Sequence, residues 1–113
     1  MYWHEKAAGE FEKSKWSVKP LTSMAHGHWG TKAELPGKFA VSFSTEENGD
    51  HVATVMPKVG KTFKITNTIY AGPVKREEAN TPLIHSLPEE TRKELGGIIK
   101  HARELLKKHA PAD

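Results

Sequence analysis

The sequence predicts an α+β fold: a three- or four-stranded antiparallel meander with a C-terminal amphipathic helix packed on one face. Three observations carry this. Phe39, Val41 and Phe43 alternate with small or polar residues and two faces alternate over 62–70, the period of a half-buried strand, while 51–56 reads as the strand that returns from the first. Asn48-Gly49 sits between the first two runs, where both residues tolerate the positive φ of a tight hairpin. From Leu95 to Leu106, apolar residues recur at three- and four-residue intervals. A chain of 113 residues suits one domain, 1–113, around one core.

Residues 1–37 are the hardest to assign. Met1 to Glu12 reads as a short helix or an ordered arm, Lys15 to Lys19 as a strand leading into Pro20, and Thr22 to Gly37 as a loop. Trp3, Trp16 and Trp29 are evenly spaced and each is followed three residues later by a lysine, but the residues between show no further similarity, so we read them as core or interface anchors.

The meander occupies 38–70. Phe39, Val41 and Phe43 define the inner face of its first strand. Val52, Ala53, Val55 and Met56 lie on the return strand, which Pro57 is expected to end because it has no N–H for the ladder. Gly60 turns the chain into a third strand over 62–70, in which Phe63, Ile65 and Ile69 should share the inner face. Residues 71–87 read as a connector, with a turn at Asn80-Thr81-Pro82 and a helical turn around Arg76-Glu77-Glu78-Ala79.

The helix is expected over 88–109. Ser86 and Glu89 have the spacing of a capping box, Pro88 fits the first turn, and Pro111 lies beyond the end. Leu95, Ile98, Ile99, Ala102, Leu105 and Leu106 fall within an arc of about 120°, enough for one buried face. Gly96-Gly97 falls outside that arc and suggests a kink.

Composition removes several chemistries. Without cysteine there is no disulfide framework, thiolate metal site or cysteine nucleophile. No apolar run approaches the roughly 20 residues of a membrane-spanning helix, so no membrane partner is expected. The first residues lack the apolar core of a leader peptide, which points to a cytoplasmic protein. Gly60-Lys61-Thr62 resembles the end of a phosphate loop, but Val55 replaces the first glycine and a strand follows, so nucleotide binding by that device is rejected.

Two surfaces remain. Seventeen Lys and Arg against fourteen Asp and Glu give a net charge of only +3, but from His51 to Arg76 there are five bases and no acid. Lys58, Lys61 and Lys64 bear on one turn of the meander, and Arg92, Lys100, Arg103 and Lys107 flank the apolar arc of the helix. With Tyr70 able to stack on a base, these residues form a candidate surface for nucleic acid, or for a protein that handles it. The expected function is therefore a small non-enzymatic binding or accessory protein needing no cofactor.

The second surface is His26-Gly27-His28. Alternate residues of an extended chain point the same way, so both imidazoles suit a divalent transition metal, and an acid–base or metal-dependent enzyme is the alternative function. A further alternative is an oligomeric interaction subunit, a homo-oligomer included, using the open sheet face and the tryptophans.

Overall fold

The computed structural model describes residues 2–21, 29–74 and 76–112. The order of elements is α1 (Trp3–Gly9), a 3₁₀ helix (Glu10–Ser14), β1 (Ser17–Pro20), β2 (Trp29–Leu35), β3 (Phe39–Thr45), β4 (His51–Val59), β5 (Thr62–Phe63), β6 (Asn67–Tyr70), β7 (Arg76–Ala79), α2 (Thr81–Ser86) and α3 (Glu89–His109). The class is α+β. The strands form one antiparallel sheet of seven, ordered β1-β2-β3-β4-β6-β7 with β5 paired to the end of β4. Three or four strands was too few because β2 and β7 come from segments read as a loop and a helical turn, and the one strand expected over 62–70 is divided into β5 and β6. Arg76-Glu77-Glu78-Ala79 is an edge strand rather than a helical turn, and its charged residues suit an exposed edge.

Ala33, Phe39, Val41, Phe43, Ala53, Val55 and Ile69 point from the sheet into a core closed by Leu95, Ala102, Leu105 and Leu106 of α3. Ile98 and Ile99 pack against that core while half-buried. The N-terminal segment lies on the same face. Trp3, Ala7 and Phe11 follow each other at four-residue spacing, as an apolar stripe requires. Ala7 and Ala8 are fully buried, and their small side chains let α1 settle between α3 and strands β2–β3. Every described helix therefore packs on the Phe43 side of the sheet.

Two inner-face assignments change. Phe63 is half-buried and Ile65 is 54% exposed. The cause is a β-bulge. Lys58 pairs with Phe63 and Val55 with Asn67, so Lys64, Ile65 and Thr66 stand opposite only Met56 and Pro57. The extra residue reverses the alternation, so Phe63 shares the outer side with Lys58 while Ile69 stays inside. Pro57 does not end β4, which runs on to Val59. On the β3 side the ladder uses the Lys58 N–H, which donates to Lys38 O at 2.8 Å, and the proline nitrogen faces the bulge, where pairing is already interrupted.

Ser86 does not cap α3. It ends α2, where its hydroxyl donates to Leu83 O at 2.6 Å, and the residue before α3 is Pro88 in an extended conformation. Asn80 caps α2, its Oδ1 accepting from the Leu83 N–H. α3 runs without a break through Gly96-Gly97, and a Cβ at either would meet nothing within 4 Å. Gly96→Ala and Gly97→Ala should therefore each stabilise the fold by about 0.8–1 kcal/mol, as measured by urea denaturation.

The end of α3 is pinned to the N-terminal segment by Glu10, whose carboxylate accepts from Lys108 Nζ at 3.4 Å and contacts His109 Nε2. The hydrogen bond from His109 is the main reason the Glu10 carboxyl lies below the ordinary carboxylate range. A depressed carboxylate pKa stabilises the fold above the unfolded-state value, and that contribution is lost as pH falls through the folded-state value. Glu10→Gln should thus lower stability at pH 7, and by progressively less as pH falls through the folded-state value. Urea midpoints across a series of acid pH values check this.

Candidate functional site

One end of the sheet gathers lysines from three segments. Gly60, with φ +65°, makes the tight turn from Val59 to Thr62 and carries Lys61 outward. Lys58 stands just before this turn, and Lys64 follows β5, its N–H donating to Pro57 O at 3.1 Å. The hydrogen bond from Lys58 N–H to Lys38 O brings the β2–β3 turn alongside. Lys38, Lys58, Lys61 and Lys64 are all exposed, and among the described residues none has an ion-pair partner. Phe63, on the Lys58 side, and the exposed Ile65 add apolar surface within the same cluster.

The other end of the sheet has the opposite sign. Glu46, Glu47 and Asp50 occupy the β3–β4 turn, and Asp50 takes one cation, Arg76, at 3.6 Å. Nine residues of β4 separate the two ends, about 26 Å at strand rise. With a Debye length of about 8 Å at physiological ionic strength, the acidic turn does not neutralise the lysine end.

The remaining basic residues lie elsewhere. Tyr70 is on the outer sheet face next to the acidic turn, paired with Val52. Its hydroxyl donates to Glu78, and the Arg76 guanidinium lies 3.8 Å from its ring centre, so one face of the ring is already occupied. Burial first, and then the Glu78 charge, push the phenol pKa up. Arg92, Lys100 and Lys107 are exposed on α3, on the helix side of the sheet. Arg103 is committed to Glu77 of β7 through Nε and Nη2, a bidentate pair that raises its pKa and ties α3 to the sheet edge.

Sequence reasoning missed Lys38. Residue 38 comes alongside residue 58 only in the observed register, in which Thr45 pairs with His51; a two-residue Asn48-Gly49 turn would set it opposite residue 59.

His26 and His28 lie outside the described residues, as do Lys75 and the side chain of Trp29. Among the described residues no group of three His, Asp or Glu is arranged to hold a metal ion. Elsewhere, His4 bonds Thr31, His51 bonds Thr45, and Glu34 lies 3.6 Å from Lys19. Trp16 packs at a tilt against Phe11 in the core, and Trp3 donates to Thr45 Oγ1 while packing edge-on against Phe43; both belong to the helix side, not the outer sheet face. Among the described residues no helix is long and apolar enough to cross a membrane.

No protein-family model, curated protein or solved structure matches this chain.

Proposed function

We propose that the protein is a small binding or accessory protein that holds single-stranded nucleic acid against the lysine-bearing end of its sheet. The observation that carries this reading is the convergence of four unpaired lysines from separate segments, a concentration of positive charge that the net charge of +3 conceals. Cations of this kind bind phosphates by releasing counterions, a driving force independent of sequence. Phe63 and Ile65 beside the lysines favour an unpaired strand over a duplex, because only splayed bases offer their flat faces to apolar side chains.

The test is fluorescence anisotropy with a labelled oligothymidylate at several salt concentrations. Four phosphate contacts give a slope of about −3 in log K against log salt, so affinity should fall about 50-fold between 50 and 200 mM salt. Binding that ignores salt, or no binding at the lower concentration, contradicts the reading.

A further inference from the structure

We propose that the cleft between α1 and the β1–β2 edge is a binding site for an uncharged, flat heteroaromatic ring. The cleft measures about 950 Å³, within the range of small-molecule sites and far larger than a packing defect. Its polar anchor is His4, which is 7% exposed. The His4 Nδ1 lies 2.7 Å from Thr31 Oγ1, and Nε2 has no hydrogen-bond partner among the described residues. Burial holds the imidazole pKa below its ordinary value, so at neutral pH the ring is uncharged and has one donor and one acceptor nitrogen. Thr31 uses one of them, and the other is left for a ligand.

Tyr2 lies parallel to the His4 ring, with centres 5.3 Å apart and planes 9° apart, yet is 66% exposed. An aromatic surface thus extends from the buried imidazole towards solvent, with Val18 and Leu21 supplying apolar wall. Gly9 leaves the helix side open, since a Cβ there would meet nothing within 4 Å. The charged residues around the cleft are exposed and balanced: Glu5 and Glu12 against Lys6 and Lys19. Glu5 accepts the Tyr2 N–H, and Lys19 faces Glu34 at 3.6 Å. That balance gives neither an anion nor a cation an advantage, whereas a neutral ring with a polar edge matches both the stacking surface and the lone nitrogen.

The test is an NMR titration of the ¹⁵N-labelled full chain with indole and with adenine, beside benzoate and benzylamine as charged rings of similar size. Saturable shifts at Tyr2, His4, Gly9 and Thr31 are expected with the two neutral rings, with the charged rings about tenfold weaker or worse. Gly9→Leu fills the open wall and should weaken the neutral rings by about tenfold or more. His4→Phe keeps the stacking surface but removes the nitrogen, and should weaken adenine in the same way. The proposal is overturned by the absence of saturable shifts with both neutral rings, by undiminished binding to either variant, or by a charged ring binding as tightly as indole.

Discussion

Replacing Phe43 with alanine is expected to lower folding stability by about 3–5 kcal/mol, the largest effect of any single substitution considered for this protein. Phe43 is fully buried at the centre of β3. Its ring meets Trp3 edge-on and Phe11 at a tilt, each with ring centres 6.3 Å apart, so it joins the sheet to the whole N-terminal segment. Deleting it removes apolar burial and leaves a void bordered by two aromatic rings and two helices, which cannot collapse without moving α1. Against a total stability of about 5–15 kcal/mol for a domain of this kind, such a loss unfolds a measurable fraction of the protein. Urea denaturation followed by tryptophan fluorescence should show it directly, and a loss below about 1 kcal/mol would contradict the packing described.

The second large effect is on binding. Replacing Lys58, Lys61 and Lys64 together with alanine should leave only Lys38 at the basic end. The salt slope should shrink from about −3 to about −1, and the affinity lost between 50 and 200 mM salt should drop to about threefold. All three side chains are exposed and unpaired, so the fold should be unaffected. Removing Arg92, Lys100 and Lys107 instead takes the same charge from α3, which packs on the helix side of the sheet. The slope should then stay near −3. Equal losses from both triple variants would mean that total charge, and not the lysine end, governs binding.

What the sequence made legible followed from periodicity. α3 was readable because Leu95, Ala102, Leu105 and Leu106 keep a helical spacing over several turns, and β3 and β4 because an Asn-Gly turn joins an alternating run to a second run rich in apolar and β-branched residues. The bulge at 64–66 was hidden because Phe63, Ile65 and Ile69 alternate flawlessly on paper, while the inserted residue is defined only by its partners on β4. β7 was hidden because an edge strand faces water and has no need of apolar alternation. Within the candidate site, Lys58, Lys61 and Lys64 could be found from sequence because one acid-free segment contains them. Lys38 could not be found until the hairpin register was known, and the commitment of Arg103 to Glu77 could not be seen until β7 was known to be a strand.

The most direct test of the lysine end as the nucleic-acid surface is chemical-shift mapping of the ¹⁵N-labelled protein on titration with oligothymidylate. Saturable shifts are expected at residues 37–38 and 58–66, with little change along 92–107. Shifts concentrated on α3, or none at the β2–β3 and β4–β5 turns at saturation, would contradict the account.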